Sequence, residues 1–260
     1  MKRGTKIGWL LIALSVILSV WVIVSQSSDA SQTTESGLVL SDDGTVLEQY
    51  TGSGGTVTIP DGVTTISAGV FKEKDVTQVI MPSSVTSMGT GVFSGCSSLA
   101  SVSLSTSLNS IPEDSFRECL SLGSVAIPDS ATTIASNAFY GCASLGSVSI
   151  PASVSNISTD AFSGCGNLSD ISVASGNGAY ASSDGCLYNA SKTRLLLVPE
   201  GKTSLAIAAG TTTIGAGALQ NCTGISSVSL PNGVTTIEAN AFSDSSVDTI
   251  TIPATVTSIA

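Results

Sequence analysis

"SVAIPDSATTIASNAFYGCASLG" (Ser124–Gly146) runs directly into "SVSIPASVSNISTDAFSGCGNLS" (Ser147–Ser169), and the two stretches are one 23-residue unit written twice. A period of 20–30 residues is the signature of a solenoid, in which each unit is one supersecondary rung. A lone rung cannot bury its apolar side, so the units must stack. Taking the proline of "IP" as a marker extends the register in both directions, to Pro60, Pro82, Pro128, Pro151, Pro231 and Pro253, with Ser105, Ala174 and Ala208 where proline is lost. The steps are 22 or 23 residues, except the one of 34 from Ala174 to Ala208.

The columns of this register have physical meanings. Eleven residues past the marker stand Phe71, Phe93, Phe116, Phe139, Phe162, Leu219 and Phe242, which takes in all six phenylalanines of the chain. Fourteen residues past it stand Cys96, Cys119, Cys142, Cys165 and Cys222. Leu99, Leu122, Leu145, Leu168 and Ile225 follow three residues later. The residues before the marker alternate, as in Val102-Ser103-Leu104, Val125-Ala126-Ile127 and Val148-Ser149-Ile150. Such alternation predicts a short, half-buried strand, which the proline ends because it cannot donate to a ladder. Pairs such as Val63/Ile66 and Val154/Ile157 predict a second extended piece. The column Gly69, Gly91, Asp114, Asn137, Asp160, Gly217, Asn240 reads as helix N-caps. Gly95, Gly141, Gly164 and Asn221 read as the left-handed residues that close a turn. The expected rung is strand, corner, second extended piece, one helical or 3₁₀ turn, corner.

The consensus "IP-x-x-V-T-x-I-x-x-x-A-F-x-G-C-x-x-L-x-x-V-x-I-P" resembles the BspA-like branch of the leucine-rich repeats, from about Leu38 to the end of the chain. The resemblance implies a right-handed solenoid of short parallel strands. It also implies an exported, surface-located bacterial protein. The rungs at Pro60 and Pro231 depart from the consensus, lacking the Cys and one residue.

A longer repeat explains the 34-residue step. "GLVLSDDGTVLEQYTGSGGTVTIPDG" (Gly37–Gly62) aligns without a gap on "GCLYNASKTRLLLVPEGKTSLAIAAG" (Gly185–Gly210), at an offset of 148. Each reads as a β-hairpin leading into a rung. The first turns at Asp43-Gly44, a pair suited to a tight primed turn. It is placed as a cap on the N-terminal end of the core. The expected organisation is a signal peptide or membrane anchor over 1–24, a disordered polar linker over 25–36, a hairpin and first run of rungs over 37–174, a polar loop over 175–184, and a second hairpin and run over 185–260. The last unit stops partway through, which predicts a truncated chain.

Lys2, Arg3 and Lys6 precede an apolar run from Ile7 to Val24. This reads equally as a cleaved signal or as a single transmembrane helix, and either places the rest outside the cytoplasm. Beyond that start six basic residues face 19 acidic ones, a formal charge of −13. Nucleic acid is excluded as a partner, because its affinity comes from phosphate neutralisation by Lys and Arg. The membrane is expected to be met only through the N-terminal segment.

The chain contains no histidine, which removes Ser–His triads and most zinc sites. Gly201-Lys202-Thr203 ends like a P-loop, but the first glycine of that motif would fall on Leu196, so the fragment reads as a link from hairpin to rung. Glu113, Asp114 and Asp160 are the best glycosidase-like acids, yet Asp114 and Asp160 lie in the N-cap column, where capping explains them, and show no pair across a cleft. Asn156, Asn167, Asn189 and Asn221 are glycosylation sequons of a Ser/Thr-rich chain. The cysteines leave two readings open: buried free thiols filling a core column, or disulfides between neighbouring rungs. No cofactor, metal or catalytic residue is expected.

The outward strand positions make the candidate binding face. They are Thr56/Thr58, Gln78/Ile80, Ser101/Ser103, Ser124/Ala126, Ser147/Ser149, Asp170/Ser172, Ser227/Ser229 and Thr249/Thr251. They read as a solvated strand face, as a shallow polar surface for an extracellular protein or glycan, or remotely as an ice-binding ladder. The expected function is non-catalytic adhesion or recognition. The alternatives are a passive stalk for a further C-terminal domain, or the repeat region of a larger cell-wall enzyme.

Overall fold

The computed structural model describes residues 32–260. The signal-or-anchor segment and most of the linker lie outside the described residues. Among the described residues no helix is long and apolar enough to cross a membrane.

The repeat folds as a β-solenoid with two short strands per rung. The first strand of each rung builds parallel ladders: Gly55–Thr58 with Val76–Ile80 and Ser101–Ser103, Ser147–Ile150 with Asp170–Val173, and Ser227–Ser229 with Thr249–Thr251. The marker proline then turns the chain. Its carbonyl accepts from the amide three residues on, as in Ala131 to Pro128 and Val234 to Pro231, both at 3.0 Å. A two-residue strand follows, exemplified by Ser110–Ile111, Thr133–Ile134 and Asn156–Ile157, which pair in parallel.

The helical turn predicted in each rung is absent: no helix occurs among the described residues, and consecutive turns take its place. The supposed N-cap column explains why. Gly69, Gly91, Asp114, Asn137, Gly217 and Asn240 all have φ between 52° and 66°. An N-cap needs an extended backbone, whereas these residues are left-handed, a conformation that Gly, Asn and Asp tolerate best. Only Asp160 of that column escapes it. The second left-handed column is as expected at Gly95, Gly141, Gly164 and Asn221, and it also holds Glu73 and Glu118, both at φ 58°. Two left-handed residues in most rungs, and Gly164 alone in the rung of Pro151, break any helix after one turn.

The core is a set of stacked columns. Phe71, Phe93, Phe116, Phe139 and Phe162 stack with centroids 5.3–5.4 Å apart, and Tyr50 of the first hairpin continues the stack at 5.0 Å from Phe71. The 148-residue offset holds in space. Leu38–Leu40 pairs with Val46–Tyr50 as Cys186–Asn189 pairs with Arg194–Leu197. Gly44 and Lys192, 148 apart, are both left-handed at φ 72° and 55°. Asp43 does not have a positive φ, so the first turn is not the primed turn expected. Its Oδ1 instead accepts from Ser41 Oγ and from the amide and hydroxyl of Thr45.

Two segments assigned as loop or linker contain strands. Gln32–Thr33 pairs antiparallel with the first hairpin, and Tyr180–Ser183 pairs with the second. The two strands start 148 residues apart, with pairing registers that differ by one residue, so each module opens with three antiparallel strands.

The second hairpin is a wall between two cores. Leu187 belongs to the apolar core running from Leu38 to Ile171, while its neighbours Cys186 and Tyr188 belong to the core running on to Ala241. Alternation along one strand thus feeds both sides. The first hairpin presents half-buried Val39 and exposed Glu48 and Gln49 where the second presents Leu187, Leu196 and Leu197. The polar set suits an end that meets water; the apolar set suits a wall with protein on both faces.

Candidate functional site

The candidate face is exposed as its alternation requires. Ser101, Ser103, Ser147, Ser149, Asp170, Ser172, Ser227 and Ser229 all point to solvent, with Val102, Val148, Ile171 and Val228 buried between them. The register aligns Ser147 with Asp170 and Ser149 with Ser172. The face is not continuous, however. Ser124 is exposed but lies in no strand, since residues 122–128 form none, and the ladder breaks between Ser103 and Ser147. It breaks again after Ser172, where Gly185 of the second hairpin accepts from the amide of Ile171 at 2.8 Å. The structure therefore brings together Ser101/Ser103 with Gln78/Ile80 and Thr56/Thr58, Ser147/Ser149 with Asp170/Ser172, and Ser227/Ser229 with Thr249/Thr251, as three separate patches.

The cysteine column is internal. All six cysteines are buried free thiols. Cys119, Cys142 and Cys165 each donate to the carbonyl of the phenylalanine 26 residues earlier, at 3.0–3.1 Å, and Cys96 to that of Phe71 at 2.8 Å. Burial raises their pKa values, for Cys96 to about 11 and for Cys165 and Cys222 to about 12. These thiols are locked, protonated donors, not nucleophiles. Among the described residues no group of His, Cys, Asp or Glu is arranged to hold a metal ion.

The candidate acids have local partners. Asp114 lies 4.0 Å from the guanidinium of Arg117, which also stacks over Tyr140. Asp160 accepts from Ser136 Oγ at 2.7 Å. Burial alone would raise the Asp160 pKa, but hydrogen bonds from Ser136 and Ser158 together hold it below the ordinary carboxylate value. Asp114 and Asp160 stand on one ridge, two rungs apart, and do not face each other across a cleft. Lys202 of the P-loop-like fragment donates to the Asp184 carbonyl at 2.6 Å, fastening hairpin to rung.

One feature escaped the sequence. In regular rungs the amide of the second left-handed residue donates to the next rung, as Gly141 does to Ser163 at 2.9 Å. No rung follows Gly164, because the hairpin intervenes. The Glu200 carboxylate accepts from Gly164 N–H at 2.9 Å and from Asn221 Nδ2 at 3.3 Å, so one side chain bridges the two runs. Beside it the missing rung leaves a trough, with cavities of about 170 and 260 Å³.

A model of the BspA type leucine rich repeat region matches residues 64–193 and 201–260, in six copies. The chain belongs to this family. No curated protein matches it. Among solved structures, a leucine-rich repeat protein from Eubacterium ventriosum is 27% identical, with a TM-score of 0.67; the match covers 89% of this chain and 66% of that one. A leucine rich cell surface protein from Faecalibacterium prausnitzii is 25% identical with a TM-score of 0.54, over 90% of this chain and 78% of that one. The pneumococcal vaccine antigen PcpA, at 19% identity and a TM-score of 0.56 over 86% of this chain and 56% of that one, shares the fold. Thus the chain spans 66% of the length of the Eubacterium structure. The family model covers most of both runs and much of the second hairpin, and begins after the first hairpin.

Proposed function

We propose that this protein is a non-catalytic recognition or attachment module that works outside the cytoplasm, through the hydroxyl-rich strand face. The observation that carries the reading is the face itself. Three parallel ladders expose Ser, Thr and Asp at every outward position, except for Gln78 and Ile80, while every inward neighbour packs into the core. Extracellular location is supported by the likeness to the Faecalibacterium cell surface protein and by the basic, then apolar, N-terminal sequence. The patches carry no aromatic side chain, the residue type that anchors strong binding. Affinity is therefore built from weak contacts repeated over several rungs. The partner is an extracellular protein or glycan.

The breaks in the ladder favour a second reading, a stalk that displays something else. Arrays of extracellular-matrix proteins and glycans distinguish the two. Binding that is lost in the Ser147→Lys/Ser149→Lys variant supports recognition. Absence of binding to any array component supports the stalk.

A further inference from the structure

We infer that the trough at the seam between the two runs is a binding site for a neutral, hydroxyl-rich sugar of one or two rings. Its two larger cavities share Thr159, Leu196 and Ala216, so they form one depression. One wall is the end of the first run, with Thr159, Asp160 and Ser163; the opposite wall carries Gln220 and Asn240 of the second run. Leu196 and Leu197 contribute an apolar floor. The trough exists because the hairpin replaces a rung.

The charges around it are already committed. Among the described residues lining the trough Arg194 is the one cation, and both its terminal nitrogens are held by the Glu238 carboxylate, which disfavours an anionic ligand. Glu200 is spent on Gly164 and Asn221. An extended peptide has little to pair with, because the adjoining strand edge is only Asn156–Ile157 and its Ile157 amide already donates to Tyr180 Oη at 2.9 Å. What remains is a set of neutral polar side chains. The hydroxyls of Thr159 and Ser163 and the side-chain amides of Gln220 and Asn240, above an apolar floor of Leu196 and Leu197, match the alternating hydroxyl and C–H faces of a sugar ring. The size agrees: joined, the cavities of about 170 and 260 Å³ reach only the lower end of the ~300–1,000 Å³ range of small-molecule sites. The site lies off the strand face and does not depend on that face binding anything.

The test titrates the full chain with methyl glycosides of glucose, galactose, mannose and N-acetylglucosamine. N-acetylneuraminic acid, inorganic phosphate and trialanine are run in parallel, by saturation-transfer NMR and calorimetry. At least one neutral glycoside binds with a dissociation constant of ~1 mM, the range that so few contacting atoms give. Ala216 and Gln220 are exposed, so Ala216→Trp, which plugs the mouth, and Gln220→Ala leave the core intact. Each weakens binding by about tenfold or more, a change that one lost polar contact or a filled site produces. The thermal midpoint stays unchanged, and Ser147→Lys/Ser149→Lys binds the glycoside as the parent does. No transfer from any of the glycosides, tighter binding of the acid, phosphate or peptide, or undiminished binding by folded Ala216→Trp overturns the assignment.

Discussion

Truncating Leu187 to Ala should cost far more than truncating Val39, although the two positions are 148 residues apart in equivalent hairpins. Leu187 is 3% exposed and packs in the core of the first run. Burying a leucine contributes roughly 1.5–3 kcal/mol, and a cavity term brings a core Leu→Ala to about 2–5 kcal/mol. The wall is packed on both faces, with Cys186 and Tyr188 behind it, so collapse into the void is limited and the upper half of that range applies. Val39 is half-buried on a face otherwise made by Glu48 and Gln49, and its truncation should cost about 1 kcal/mol or less. Urea unfolding followed by circular dichroism gives both values. Because solenoid stability is a sum over rungs and their interfaces, Leu187→Ala should also separate the unfolding of the two runs into distinct steps, whereas Val39→Ala should not. Equal costs for the two variants would refute the reading of the second hairpin as an internal wall and the first as a cap.

Two further outcomes follow from the titrating groups. All six thiols should resist iodoacetamide at pH 8 in the native state and react at once in denaturant, because burial holds Cys96 at about 11 and Cys165, Cys186 and Cys222 at about 12; mass spectrometry that finds any native cysteine alkylated contradicts the internal column. Hydrogen bonds from Ser41 and then Thr45 lower the Asp43 pKa from 3.8 to about 2. Its contribution to the first hairpin is present above pH 3.8 and is lost as pH falls through about 2. Asp43→Asn should remove that acid-dependent part of the unfolding curve, and an NMR titration midpoint near 4 would contradict it.

The parts of this molecule legible in the sequence are those in which one residue type meets the same environment in every rung. Phe116 and Cys142 recur because each fills a slot that repeats at the rung spacing, so the stack and the thiol column could be read directly. The family and the solenoid followed from the same columns. The cap column misled because Gly, Asn and Asp are favoured both at helix N-caps and in left-handed turns. Its lack of Ser and Thr, and the glycines at 69, 91 and 217, were the available clue, since hydroxyl residues cap helices well but do not favour positive φ. The strand Tyr180–Ser183 was hidden by a composition of Ala and Ser, yet it lies at the same 148-residue offset from Gln32–Thr33 and could have been found by extending the alignment backwards. The interruption at Ser124–Ile127 has no counterpart in the sequence, which repeats there as well as anywhere. Nor could the trough be read, because it is made by a rung that is missing and by Glu200 standing in for a backbone carbonyl.

The central claim is that columns of the repeat are columns in space, with the candidate face on one side. The Ser149→Cys/Ser172→Cys and Ser149→Cys/Ile171→Cys variants test it by mild oxidation and gel shift under non-reducing conditions. Ser149 and Ser172 are register partners on the outward face, whereas Ile171 points into the core. Neighbouring parallel strands lie about 4.8 Å apart, within the ~4.4–6.8 Å that a disulfide spans. The first pair is expected to cross-link completely and the second not at all. Cross-linking of the second pair in place of the first would mean a register slipped by one residue, with the hydroxyl face turned inward, and would contradict that claim.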